Sequence, residues 1–361
     1  MVLYIHIPFC KKKCLYCDFL SFQPENYEEA YFDSLIKEIK EFTSTENINS
    51  VFFGGGTPTL PNEKYIYNIL STIYKKYKLS SECEITIESN PGTLTFEKLK
   101  TYRSIGINRL SIGLQSSNEK HLKTLGRIHS LKDFETNFEY ARQAGFDNIN
   151  TDIMFSLPHQ SFEDFSEDIE YICNIDPEHI SAYSLIVEEG TPFYDMPLDL
   201  PDEDTDRKMY SYCIDFLQEK GYHQYEISNF SKDNKECYHN KAYWKRENYK
   251  GFGLGAASLL EHKRLKNTEN IKDYISGKYV KETQNLSKEE EMSEFMFLGL
   301  RMTRGINIME FKNIFSVDIK DVFGLAIEKH VKCGLLKQEG NNIFLTRRGM
   351  DISNTVFVDM I

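Results

Sequence analysis

Residues 48–77, INSVFFGGGTPTLPNEKYIYNILSTIYKKY, contain the unit from which most of this chain is built. Ile48–Phe53 is a short run of apolar and aromatic residues, which is typical of a buried strand. Gly54–Pro58 then forms a glycine-rich turn, and Asn62 is placed to accept a hydrogen bond at the start of a helix that runs to about Tyr77. A strand, a turn and an amphipathic helix in this order predict one βα unit of a parallel sheet.

The same order recurs along the first two thirds of the chain. The predicted strands are Leu3–Ile7, Ile48–Phe53, Cys83–Glu88, Arg109–Gln115, Asn148–Phe155 and His179–Val187. A helix is expected after each strand, the first with Asn26 as N-cap and Glu29 completing a capping box. Six such units fit an α/β fold, either a doubly wound sheet or a barrel. A complete eight-unit barrel usually needs about 250 residues, so a partial (β/α)6 barrel is predicted.

The remaining third of the chain has a different pattern. Residues 231–285 are predicted to form an irregular connecting segment, and helices are expected at about 288–303, 307–314 and 318–333. A hairpin at 335–346 completes a small winged-helix-like domain. The expected domains are therefore 1–230, 231–285 and 286–361. Winged helices commonly bind DNA, but four glutamates make the first helix acidic, so a packing or docking role is favoured.

Composition narrows the functional classes. The chain has 361 residues, a formal net charge of −12, 40% hydrophobic and 27% charged residues. These values are typical of a globular protein, and no apolar run approaches the roughly 18 residues of a membrane span. The acidic balance argues against nucleic acid as the main partner. Without a recognisable export signal, a cytoplasmic location is expected, and peripheral association with a membrane is left open.

The three cysteines Cys10, Cys14 and Cys17 are the strongest chemical signal. Three thiolates within eight residues can face one metal centre. A structural zinc site normally has a fourth ligand, and no nearby Cys or His pair supplies one. An iron–sulfur cluster usually takes four thiolates, so three would leave one iron open to a small ligand. A [4Fe–4S] cluster is favoured over zinc or unrelated thiols.

At these cysteines the chain resembles the radical SAM superfamily. The stretch YIHIPFCKKKCLYCDF, residues 4–19, is similar to the subgroup of oxygen-independent coproporphyrinogen III oxidase and its haem-chaperone relatives. The resemblance implies a partial (β/α)6 barrel, with S-adenosylmethionine (SAM) chelating the fourth iron of the cluster. It further implies electron transfer into the SAM sulfonium, which yields methionine and a 5′-deoxyadenosyl radical.

The resemblance also assigns residues to the SAM pocket. Glycines permit a close approach of the backbone to a ligand, and carboxylate, amide and guanidinium groups suit the polar parts of SAM. The predicted set is Tyr4, Tyr16, Gly55, Gly56, Thr57, Glu88, Gln115, Arg127 and Asp152.

Two departures distinguish this chain from the oxidase. The oxidase has a further cysteine two residues after the third one, where this chain has Phe19, and it has an extension before the cysteine motif. Both differences argue against oxidative decarboxylation of coproporphyrinogen. An enzymatic role, in which this cysteine is replaced functionally elsewhere, remains the alternative.

His239–Trp244, with the sequence HNKAYW, matches a motif of the haem-chaperone group. Histidine can ligate haem iron, and tyrosine and tryptophan offer flat apolar surface. The resemblance therefore implies a chaperone that binds haem, with His239 or Cys237 as ligand, and delivers it to apo-haemoproteins such as respiratory enzymes. A buried histidine next to a core tryptophan is the simpler reading of the same residues, and whether the chain is an enzyme stays open.

Overall fold

The structure is a computed structural model that describes residues 1–24 and 26–361. Its strands are β1 Val2–Ile7, β2 Ile48–Gly55, β3 Leu79–Ser89, β4 Arg109–Gln115, β5 Ile149–Phe155, β6 His179–Ser184, β7 His223–Glu226, β8 Asn229–Ser231, β9 Tyr249–Phe252, β10 Ala257–Leu260, β11 Lys263–Asn267, β12 Val280–Asn285, β13 Ile306–Asn307, β14 Leu336–Glu339 and β15 Asn342–Leu345.

Its α-helices are α1 Glu28–Glu41, α2 Glu63–Lys76, α3 Phe96–Ser104, α4 Glu119–Thr124, α5 Leu131–Gln143, α6 Phe162–Ile175, α7 Glu203–Glu219, α8 Tyr238–Trp244, α9 Ile271–Ile275, α10 Lys288–Gly299, α11 Ile308–Phe315, α12 Ile319–Lys332, α13 Arg347–Asp351 and α14 Ser353–Phe357. None of these helices combines the length and apolarity needed to cross a bilayer.

The six strands β1–β6 pair in sequence order and run parallel, as predicted. Helices α1–α7 connect and cover them, and the apolar side chains between helices and strands form the main core. The partial (β/α)6 barrel is therefore confirmed. The register places Ile7 beside Gly55 and Gly113 beside Asp152, so the loops at the carboxyl ends of the strands emerge next to one another.

Residues 231–285 are not irregular, and that prediction was wrong. Strand β9 pairs parallel to β1, and β10–β12 extend the sheet from it in antiparallel order. With β8 and β7 at the other edge, the sheet has twelve strands. The short strands and their polar composition hid this extension, because partners such as β1 lie more than 200 residues away in the sequence.

The C-terminal residues form the expected winged-helix-like unit. Helices α10–α12 precede the hairpin β14–β15, and β13 adds a third strand to it. A separate apolar cluster, which includes Phe295, Phe311, Ile327 and Leu345, forms the core of this unit.

Helix α8 closes the barrel at the end opposite the cysteine loop. It contacts β2 and β3 in their central and amino-terminal parts, where Ser50 and Glu84 bond to His239. Buried polar side chains of neighbouring strands continue this layer, including Arg109, Asn150 and His179. The barrel interior is therefore polar over much of its length, with one open end and one plugged end.

Candidate functional site

A cavity of about 140 Å³ lies at the carboxyl ends of the parallel strands. Its walls come from loops after β1, β2, β3 and β4 and from β5, which is where parallel α/β folds gather their chemistry. The predicted residues that line it are Cys10, Cys14, Cys17, Tyr16, Gly55, Gly56, Glu88, Gln115, Arg127 and Asp152.

The cysteine loop is held in place by the residues around it. The backbone N–H of Cys10 donates to the Phe22 carbonyl at 2.9 Å, and its Sγ lies 3.4 Å from the Thr57 hydroxyl. The Cys14 Sγ accepts from Arg127 Nη1 at 3.7 Å. The three thiols thus share one cavity wall, although no three metal-binding side chains in the described part of the chain stand close enough to hold a single ion. Phe19 follows them with 64% of its surface exposed.

Gly55 and Gly56 form a shelf on which no side chain fits. Gly55 has φ +111°, and a Cβ there would lie 2.5 Å from the His6 ring. A Cβ on Gly56 would lie 2.8 Å from the Phe9 carbonyl oxygen. Thr57 does not line the cavity. Its hydroxyl instead contacts the Cys10 thiol and accepts a hydrogen bond from the side-chain amide of Asn90, which holds the chain next to Gly56 in place.

Two carboxyl groups lie on the inner wall. Burial, with a smaller contribution from the charge of Asp152, raises the pKa of Glu88 to about 8. Burial also raises the pKa of Asp152, and hydrogen bonds from Asn150, Ser181 and Ser111 oppose that shift. Glu88 accepts the Gly55 N–H at 3.3 Å. The wall therefore presents two poorly solvated carboxyl groups that can hydrogen-bond to hydroxyl groups and, when ionised, bind an ammonium group.

Arg127 and Gln115 complete the wall on the side of β4. Arg127 Nη2 donates to Asn90 Oδ1 at 2.6 Å and to the Gly113 carbonyl at 2.5 Å, which fixes the guanidinium. Gln115 has φ +73° at the end of β4, where the pairing with β5 shifts register. Backbone strain of this kind persists only where surrounding structure maintains it.

Asn90 was missed by the sequence analysis, although it bonds both Thr57 and Arg127. Asn90 follows Glu88 by two residues at the end of β3, and this position could have indicated it as a site residue.

Tyr4 and His239 lie away from the cavity. The Tyr4 hydroxyl contacts His6 Nδ1 at 3.1 Å, and its ring packs beneath Gly54. The rings of Tyr4 and His239 are 6.4 Å apart, and neither residue lines the cavity. Tyr16, in contrast, lines the cavity, and burial raises the pKa of its hydroxyl.

His239 is enclosed inside the plug. Its Nδ1 lies 3.0 Å from the Ser50 hydroxyl and its Nε2 lies 3.2 Å from the Tyr243 hydroxyl, and its ring stacks on Phe52. The residue is 1% exposed, and burial, aided by the positive charge of Arg109, lowers its pKa to about 3. Both ring nitrogens are therefore engaged within the protein.

Cys237 lies at the same end of the barrel. Its thiol is buried and is 3.5 Å from Glu84 Oε1.

Family models match two parts of the chain. The radical SAM superfamily model matches residues 4–172, and the HemN C-terminal domain model matches residues 286–352. A protein of Bacillus subtilis named heme chaperone HemW is 37% identical over 98% of this chain and 97% of its own length. The chain belongs to the HemW family. The HemW of Escherichia coli is 32% identical over 98% of this chain and 96% of its own length.

A mitochondrial relative also matches most of the chain. The zebrafish (Danio rerio) radical S-adenosyl methionine domain-containing protein 1 is 34% identical over 89% of this HemW-family chain and 78% of its own length. The solved structure of coproporphyrinogen III oxidase (HemN) from Escherichia coli superposes with a TM-score of 0.85 over 99% of this chain and 89% of that protein, at 20% identity. That likeness supports the barrel with its winged-helix-like unit as a fold.

Proposed function

We propose that this protein is a haem chaperone, which binds a [4Fe–4S] cluster, SAM and haem and delivers haem to apo-haemoproteins such as respiratory enzymes. The observation that carries the proposal is the full-length similarity to proteins named heme chaperone HemW. Phe19 at the position of the oxidase's additional cysteine, and the intact HNKAYW motif, agree with it.

The cavity at the carboxyl ends of the parallel strands, called the upper cavity from here on, suits the cluster and SAM. We assign Cys10, Cys14 and Cys17 to iron, because three thiols on one wall next to a side-chain-free shelf leave room for a ligand at a fourth position. When bound, the cluster and SAM supply one-electron reducing chemistry. Arg127 and Asn90 fix the wall near Cys14, and Glu88, Gln115 and Asp152 offer polar contacts to SAM.

Haem requires a separate place in the molecule. Because the cavity of about 140 Å³ is assigned to the cluster and SAM, it leaves no room for a macrocycle as well. The prediction that His239 ligates haem iron stays a prediction. For it to hold, Ser50 or Tyr243 must release a ring nitrogen, and α8 must move away from β2.

The first test measures haem binding and transfer. Anaerobically reconstituted protein is titrated with hemin, and we expect a saturable Soret shift at one haem per chain. The loaded protein is then mixed with a haem-free cytochrome b, and the transfer rate is compared with that from hemin on serum albumin. Absence of a saturable Soret shift would contradict the proposal.

The second test separates the chaperone from the oxidase. The same protein is incubated with coproporphyrinogen III, SAM and a reductant, and we expect no protoporphyrinogen above the level of a Cys14→Ser variant. Turnover that depends on Cys14 would favour the enzymatic alternative.

A cytoplasmic location belongs to this proposal. All eight cysteines are free thiols, and five of them are outside the predicted cluster motif. Such thiols persist in a reducing compartment.

A further inference from the structure

A second cavity lies outside the barrel, between α8 and the C-terminal unit, and residues of the HNKAYW motif line it. It measures about 360 Å³, more than twice the volume of the upper cavity. Helix α8 has one face against the barrel and another that lines this cavity. His239 and Ala242 are buried against the protein, whereas Lys241, Trp244 and the adjoining Lys245 line this second cavity.

The walls of the second cavity combine polar and charged side chains with an aromatic and apolar patch. Trp244, Phe295 and Met302 line it, the first from α8 and the other two from α10 and the turn after it. Arg301 covers the Trp244 ring at 4.3 Å and fixes its orientation. The Trp244 Nε1 atom is buried and has no hydrogen-bond partner among the described residues.

The rim of the second cavity carries positive charge. Lys245 and Arg304 are exposed and form no ion pair within the part of the chain that the structure describes. Lys241 is already paired with Glu236 at 2.6 Å. Glu310 also lines the cavity, so the three cations Lys241, Lys245 and Arg304 exceed the two carboxylates of the lining, Glu236 and Glu310, by one charge. An aromatic and apolar patch with cations at the mouth complements a flat apolar molecule that bears carboxylates.

One imidazole is available in this cavity. His223, at the start of β7, lines it with 41% of its side chain exposed, and its contacts to Glu236 and Asp233 are long, at 3.4 and 3.6 Å. Exchanging these contacts for an iron bond costs far less than extracting His239 from its buried partners.

We propose that haem is held in this cavity between α8 and the C-terminal unit, with its propionates at Lys245 and Arg304 and its iron bound by His223. This inference rests on the proposed haem-chaperone function and specifies where haem binds. Trp244 then acts as a wall of the site, and His239 acts as the buried anchor of α8.

The test titrates the full-length, cluster-loaded protein with hemin and, separately, with metal-free protoporphyrin IX. Lys245→Glu combined with Arg304→Glu is expected to raise both dissociation constants by at least about tenfold, because both ligands carry the same carboxylates. The matched control reverses two exposed lysines on α12, Lys320→Glu with Lys332→Glu, and should bind as the wild type does. His223→Ala should weaken hemin binding about tenfold and shift the Soret maximum, while protoporphyrin IX binding changes less than about twofold.

The outcomes separate the site from the function. An unchanged hemin dissociation constant in the Lys245/Arg304 variant overturns the site, and an unchanged Soret maximum in His223→Ala overturns the ligand. A His239→Gln variant that keeps its cluster but loses the hemin spectrum would also overturn the ligand. If the wild type itself binds no hemin, the proposed function fails first, whatever the variants do.

Discussion

At the scale of single residues, the glycine shelf shows how the backbone prepares the upper cavity. Gly55 combines a positive φ with a contact that no side chain tolerates, since a Cβ would lie 2.5 Å from the His6 ring. His6 cannot yield freely, because its Nε2 bonds the Leu20 carbonyl at 2.9 Å. The ring thus links the shelf to the chain just after the cysteine motif.

Replacement of Gly55 by alanine tests this shelf. We expect Gly55→Ala to lower the free energy of unfolding by about 2–4 kcal/mol, through backbone strain and steric overlap, and to weaken SAM binding. Chemical denaturation and equilibrium dialysis with SAM measure the two effects. Gly145→Ala is the control, since Gly145 has φ +90° and open space around it. Equal losses in the two variants would show that the contact with His6 contributes nothing.

Because the pKa of Glu88 is raised, we expect the free energy of unfolding of the cluster-free protein to depend on pH. Burial and the charge of Asp152 raise its pKa to about 8, above the value of about 4.3 expected in an unfolded chain. The folded state then binds this proton more tightly. The contribution of protonated Glu88 to the free energy of unfolding is complete below about pH 4 and is lost as the pH rises through 8.

The measurement compares unfolding free energies at about pH 5 and about pH 8. Wild-type protein should lose on the order of a few kcal/mol more over this interval than Glu88→Gln, which carries no titrating group. Glu189→Gln, at an exposed site, serves as control. A Glu88→Gln variant with the wild-type pH slope would contradict the raised pKa.

At the scale of elements, α8 is attached to the strands through buried polar contacts. The Tyr225 hydroxyl contacts His179 Nε2 at 2.8 Å and accepts the Cys237 N–H at 3.3 Å. His179 in turn contacts Asn150 Oδ1 at 2.6 Å, and Asn150 donates to Asp152 in the upper cavity at 2.7 Å. A continuous hydrogen-bonded chain therefore joins the upper cavity to the start of α8.

Tyr225→Phe interrupts this chain with minimal change of shape. It leaves the His179 ring nitrogen and the Cys237 N–H buried without a partner, and we expect a loss of about 1–3 kcal/mol in unfolding free energy. Faster hydrogen exchange confined to α8 should accompany the loss. Tyr171→Phe removes a hydroxyl whose bond to Glu135 is exposed, and should change little. Equal behaviour of the two variants would argue against the attachment of α8 through Tyr225.

Helix starts show how local patterns succeed and fail. Asn62 caps α2 as predicted, accepting the Lys64 N–H at 3.0 Å. Asn26 does not cap α1, which begins at Glu28 with Tyr27 as N-cap and no side-chain capping bond. Packing of Tyr31, Phe32 and Leu35 into the core fixes this helix, and tertiary contacts therefore override the local signal.

At the scale of the whole molecule, a buried ionic cluster joins the C-terminal unit to the barrel. Arg246, after α8, donates to Glu294 at 2.7 Å and to Glu291 at 3.0 Å, and Arg264 on β11 donates to Glu294 at 2.7 Å. Glu291 and Glu294, two of the four glutamates that make α10 acidic, are therefore paired with arginines inside this interface. This interface also builds the second cavity, because it holds α10 against α8.

Arg246→Ala should destabilise the protein. It removes one of two close partners from each of two buried carboxylates, while Arg264 stays on Glu294 and His262 on Glu291, and we expect a loss of about 1.5–3 kcal/mol in unfolding free energy. Arg347→Ala, which removes an exposed pair with Asp215, should cost at most about 1 kcal/mol. The two variants are compared by chemical denaturation and by hemin affinity. A loss in Arg246→Ala no larger than in Arg347→Ala would contradict the role of this cluster.

The sequence by itself determined the six βα units, the winged-helix-like unit and the thiols with their surrounding shelf. These features depend on local periodicity, on glycine and on spacing within a few residues. The antiparallel extension of the sheet, the role of Asn90 and the two faces of α8 were decided only by tertiary structure. They arise from contacts between residues that are remote in the chain, such as Ser50 with His239 and Arg246 with Glu294. A motif can specify which residues are present, but only packing settles that His239 faces the barrel while Trp244 faces the second cavity.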